Sequence, residues 1–112
     1  MSAERREAHE LLRTMYGLLR RGWCQRASAK DAGGFCVSPY SPDACRWCFT
    51  GAWRAATHLH EPTVRVEEEA VRALEHATPT ASSWPTWNDG PDMTQQEALR
   101  AVGRALWNVD IP

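Results

Sequence analysis

The chain has no apolar run approaching the ~18 residues that would cross a bilayer. Behind its opening Met-Ser-Ala-Glu-Arg-Arg-Glu there is no apolar signal core. These two absences predict no membrane association and a cytoplasmic protein, whose four cysteines are reduced thiols and not a disulfide framework. Phosphate chemistry finds no support, because Gly33-Gly34 stands alone, without a P-loop lysine pattern or a dinucleotide fingerprint. There is no internal repeat and no low-complexity tract. Net charge is also scarce: a formal −1 argues against wholesale attraction to nucleic acid or to membranes.

What is present fits one globular domain. A length of 112 residues suffices for one domain and is too short for two, and 43% hydrophobic residues exclude disorder. Six tryptophans are enough to dominate a small core, so staples of disulfide or metal are not required. Charge is unevenly spread. Residues 1–60 hold nine Lys/Arg against five Asp/Glu, and residues 61–112 hold four against nine.

Periodicity predicts a mainly α fold, a compact four-helix domain over 1–112 with a small β-hairpin between helices 1 and 2. A first helix spans about Ala3–Arg21, capped by Ser2 and ended by Gly22, with Ala8, Leu11, Leu12, Met15, Leu18 and Leu19 inward. Arg13 and Arg20 fall on its outer face. The turn Lys30–Phe35 predicts a hairpin of Trp23–Ala29 with Phe35–Val37, pairing residue 30 with 35. Ser41 as cap, Pro42 at the first helical position and Asp43 at the positive end of the dipole predict a second helix to about His58. Its apolar stripe includes Cys45, Cys48, Phe49, Ala52, Ala55, Ala56 and Leu59. A third helix runs from Thr63 or Val64 to Ala77. Residues 78–92 read as a loop interrupted by Trp84 and Trp87, and Thr94-Gln95-Gln96-Glu97 is a capping box opening the last helix.

Cys45 and Cys48 sit three residues apart. One reading is a zinc site built from Cys45, Cys48 and one of Cys24 and Cys36, but a second short-spaced pair is missing and His58 lies ten residues beyond Cys48. A reactive thiol at Cys45 needs an oriented base, and nothing in the spacing of the four histidines selects one. Buried packing thiols are the preferred reading, which leaves no cofactor, no metal and no catalytic residue. Glu67-Glu68-Glu69 lies within one helical turn and reads as a solvated face. Arg5, Arg6, Arg20 and Arg21 are interrupted by acidic residues and lack the aromatic interleaving of a single-strand binder. The loop Trp84–Pro91 is the candidate binding element, since exposed indoles anchor protein interfaces, while the competing reading folds both rings back over the core.

Three landmarks carry a resemblance. They are Gly22-Trp23-x-Gln25 with the Asp31/Gly34 turn, Trp47-Cys48-x-x-Gly51-Ala52, and Trp87-Asn88-Asp89 followed by Thr94-x-x-Glu97. Over roughly residues 10–107 the chain resembles a family of small uncharacterised bacterial and phage proteins, classed only as a domain of unknown function. The resemblance implies a close helix contact at Cys48, Gly51 and Ala52, and a structural turn at Asn88-Asp89. The expected function is a non-enzymatic protein-binding module, an accessory protein of a phage or mobile element acting on a host factor. Trp84, Trp87, Arg13 and Arg20 are its predicted contacts.

Overall fold

The computed structural model describes residues 2–110, and its core is built around the first helix. Helix α1 spans Ala3–Arg21, with the Ser2 hydroxyl accepting the Arg5 N–H at 3.1 Å. Its six leucine, alanine and methionine positions at helical spacing are all buried. This stripe packs against α2 (Phe49–His60), α3 (Val64–Ala77) and α5 (Gln95–Asp110). Small side chains let the helices approach: Ala70 and Ala73 on α3 meet Ala98, Ala101 and Ala105 on α5 within one buried cluster. The Thr63 and Thr94 hydroxyls accept the N–H groups of Val66 and Glu97 and so cap α3 and α5.

Between α1 and α2 lies a three-stranded sheet in place of the expected hairpin. Strands β1 (Ala29–Lys30), β2 (Cys36–Val37) and β3 (Arg46–Trp47) take the order β2-β1-β3, with β1 antiparallel to both neighbours. Lys30 faces Cys36, one residue later than the turn composition suggests. Asp31 sets this register: its carboxylate accepts the N–H groups of Gly33 and Phe35, both at 2.9 Å, and its own N–H donates to the Phe35 carbonyl. The turn therefore closes on 31–35, with Gly34 at φ +85°. Of residues 23–28, only Trp23 pairs, through an isolated parallel bridge to Trp47.

The second helix begins at Phe49, not at Pro42. Ser41 still accepts the Asp43 N–H, but it caps only a turn. The reason is long-range. Trp47 donates its N–H to the Gly22 carbonyl and accepts from Cys24 N–H, Cys45 N–H donates to Lys30 and Cys48 N–H to Ser28. Residues 45–48 are thus bonded on both sides by distant backbone, which the local helix signals cannot overcome. Cys45 lies outside any helix, and Cys48 is the N-cap, its sulfur accepting the Gly51 N–H at 3.2 Å. Gly22 is extended (φ −177°) and does not form a left-handed stop. It is needed because a Cβ there would lie 2.2 Å from the Cys45 carbonyl oxygen. Helix α2 runs on to His60 and is ended by Glu61 at φ 46°. A fifth, short helix, α4 (Trp84–Asn88), occupies the stretch expected to be loop, capped by Ser83.

Candidate interaction surface

The three sequence landmarks converge on one side chain. Asn88 is 0% exposed. Its Oδ1 accepts from the Trp23 indole at 2.8 Å and from the Phe49 N–H at 3.0 Å, and its Nδ2 donates to the Cys24 carbonyl at 3.0 Å. The Gln25 amide donates to the carbonyls of Asn88 and Gly90, both at 3.0 Å. Asp89 accepts the Arg26 N–H at 2.8 Å, holding that residue in the left-handed region at φ 64°. This clasp ties α4 to the segment after α1 and to the start of α2. It supplies the Phe49 N–H, one of the donors that a helix N-terminus cannot satisfy within itself. Gly51 is the close approach in the second landmark, but the neighbour is the Ser28 carbonyl, 1.9 Å from a hypothetical Cβ, and not a helix. Ala52 is buried behind it.

Trp84 and Trp87 are half-buried, and both rings meet Phe49 edge-on at centroid distances of 5.2 and 5.0 Å. The Trp84 indole N–H donates to the Thr78 hydroxyl. The two rings fold back over the start of α2 and leave only part of their surface to solvent. Arg13 and Arg20 are exposed on the outer face of α1. No hydrogen bond or ring contact among the described residues joins these arginines to the two tryptophans.

The four thiols are all free. Burial pushes Cys24 up from the ordinary 9.0 to about 11. Burial also raises Cys48, against the opposing effect of the Gly51 and Thr50 N–H groups. Both are therefore protonated at neutral pH and poor nucleophiles. Cys36 is exposed on β2 and Cys45 is half-buried. Among the described residues, no three His, Cys, Asp or Glu side chains are grouped so as to hold a metal ion.

A different surface combines exposed apolar groups with a rigid base. Tyr40 is 51% exposed and Leu59 is 67% exposed, and both line a cleft of about 210 Å³ whose buried wall is Trp47. The Tyr40 ring lies 4.7 Å from the His58 ring, centroid to centroid. The Arg21 guanidinium carbon stands 5.3 Å from the centre of the Trp47 ring, within cation–π range. The Trp47 indole N–H donates to the Pro39 carbonyl at 3.2 Å, so the wall and the 39–42 segment are fixed together. Helical spacing placed Leu59 in the core, but it falls in the last turn of α2, beyond the reach of a covering element. Its flanking histidines, His58 and His60, were the signal in the sequence that this turn meets water.

With this geometry in view, a model described as a family of unknown function, DUF6197, matches residues 3–106, and the chain belongs to that family. No curated protein and no solved structure matches it.

Proposed function

We propose that this member of DUF6197 is a non-enzymatic protein-binding module that holds its partner in the cleft between the end of α1, the 39–47 segment and the end of α2. The observation that carries the reading is the exposure of Tyr40 and Leu59 in the cleft they share with the fixed Trp47. Aromatic and arginine side chains on a rigid base are the common anchors of protein interfaces. A volume of about 210 Å³ lies below the ~300–1,000 Å³ of pockets that enclose a drug-sized molecule. It suits one or two side chains of a larger partner. Arg13 and Arg20, exposed on α1, add long-range attraction for an acidic surface. Cys24 and Cys48, held protonated by burial, are poor nucleophiles, in keeping with a binding role for the segments that carry them. Trp84 and Trp87 enter this reading as support beneath α2, secondary to the cleft. The setting proposed with it, an accessory protein of phage or mobile-element origin acting on a host factor, rests on the sequence resemblance alone.

The test is affinity capture from a bacterial host lysate with the wild-type chain, Leu59→Asp, Tyr40→Ala and, as an exposed aromatic elsewhere, Trp107→Ala. A partner retained by the wild type and by Trp107→Ala but lost from the other two, with melting temperatures unchanged, is the expected result. A partner held equally by all four overturns the placement at the cleft. Capture of no partner by the wild type overturns the binding reading.

A further inference from the structure

The charges around this cleft are one-sided. Across the last turn of α1, residues 39–47 and α2, the charged side chains are Arg20, Arg21, Arg46 and Arg54 against the single carboxylate of Asp43. All four arginines are exposed, and Arg21, Arg46 and Arg54 enter no ion pair among the described residues. Arg21 lines the cleft itself, and Arg46 neighbours its Trp47 wall in the chain and reaches back over Gly22. Arg54 stands one turn before His58 on α2. Elsewhere Arg65 pairs with Glu4, Arg72 with Glu69, and Arg100 with Glu97.

We propose that the occupant of the cleft is a short acidic segment of a partner protein that presents one large apolar side chain. The inference rests on the protein-binding reading and adds the chemistry of the partner. The apolar side chain enters between Tyr40 and Leu59 against Trp47, which removes from water two of the large apolar side chains that the fold leaves exposed. Carboxylates on either side of it meet Arg21 and Arg46 at one end and Arg54 at the other. A guanidinium takes a carboxylate in a paired, planar contact, so these arginines fix register as well as attract. An extended segment fits better than a folded face. The cleft admits only one or two side chains, and Arg21 is the arginine that lines it, with Arg46 and Arg54 exposed on the neighbouring β3 and α2.

Selection of random dodecapeptides on the wild-type chain tests this directly. Enriched peptides are expected to carry net negative charge and a Leu, Ile, Phe or Trp. One of them, synthesised, is expected to shift the NMR signals of the Trp47 indole N–H and the Leu59 methyl groups and to leave the Trp107 indole unmoved. Its affinity is expected to fall about tenfold with Leu59→Asp, and about tenfold with Arg21→Glu plus Arg46→Glu. Replacing by lysine those of its acidic residues that face positions 21 and 46 is expected to restore binding to the charge-reversed variant. A variant that melts early is set aside in favour of the other, since Leu59 and the arginines test the same contact independently.

Enriched peptides that bind the cleft but are neutral or basic overturn the acidic-segment proposal and leave the binding reading standing. No enrichment, or peptides that move Trp107 and not Trp47, also overturns it, and the lysate capture then decides the broader reading by itself. A single-stranded oligonucleotide that shifts Trp47 where no peptide does replaces the protein partner with nucleic acid.

Discussion

Where α1 meets α3 and α5, the buried side chains are alanines, leucines, valines and a methionine; where α4 meets the segment after α1 and the start of α2, edge-on rings are joined by hydrogen bonds centred on the buried Asn88 amide. The first region is held by area removed from water, which is non-directional and tolerates exchange of one apolar shape for another. The second is held by hydrogen bonds whose donors and acceptors are fixed in place, so the loss of one group strands its partners without water. Stability in this small domain is carried by many replaceable contacts in one region and by hydrogen bonds centred on Asn88 in the other.

The sharpest way to break this comparison is Asn88→Ala. It leaves the Phe49 N–H, the Trp23 indole N–H and the Cys24 carbonyl without their partner, and is expected to lower stability by roughly 3–5 kcal/mol in urea denaturation. Next is Gly51→Ala, whose Cβ overlaps the Ser28 carbonyl; a loss of about 3 kcal/mol is expected from the forced displacement of β1 from α2. In the helical region, a volume-conserving exchange such as Leu12→Met is expected to cost less than ~1.5 kcal/mol although Leu12 is fully buried. If Leu12→Met proves as damaging as Asn88→Ala, the two regions do not differ in kind. Thr94→Ala, which removes the cap from α5, is expected to cost about 1 kcal/mol.

A further effect is confined to high pH. The folded chain holds the Cys24 thiol protonated up to about 11, while in the unfolded chain it ionises near the ordinary 9.0. Below 9.0 both states keep the proton, and this group makes no pH dependence. Between 9.0 and about 11 only the unfolded state releases it, so stability falls with rising pH, and it levels once the folded thiol ionises. Denaturation midpoints across that interval are expected to fall less steeply in Cys24→Ala than in the wild type.

The same difference decided what could be read from the sequence. Helices α1, α3 and α5 announce themselves through apolar spacing and through Ser2, Thr63 and Thr94, because helical burial and capping are local in the chain. The start of α2 is hidden. Ser41-Pro42-Asp43 is a sound helix signal, yet bonds from Trp47 to Gly22 and from Cys48 to Ser28 draw the segment into a sheet. No local pattern reports bonds over twenty residues or more. Helix α4 did leave a trace, a serine followed by Trp84-Pro85, too short to stand out in a loop rich in the same residue types. The cleft was harder still. Arg21, Tyr40, Trp47 and Leu59 come from three separate elements, and only the correct start of α2 brings them together.

In the proposed division of labour, the clasp at Asn88 supports the fold and the cleft at Leu59 holds the partner. The most direct measurement compares Asn88→Ala and Leu59→Asp side by side, recording the melting temperature and the affinity for the captured partner at a temperature where both remain folded. A large drop in melting temperature with little change in affinity is expected for Asn88→Ala, and an unchanged melting temperature with at least a tenfold loss of affinity, about 1.4 kcal/mol, for Leu59→Asp. A Leu59→Asp protein that binds as the wild type does, or an Asn88→Ala protein that melts normally and loses its partner, would contradict it.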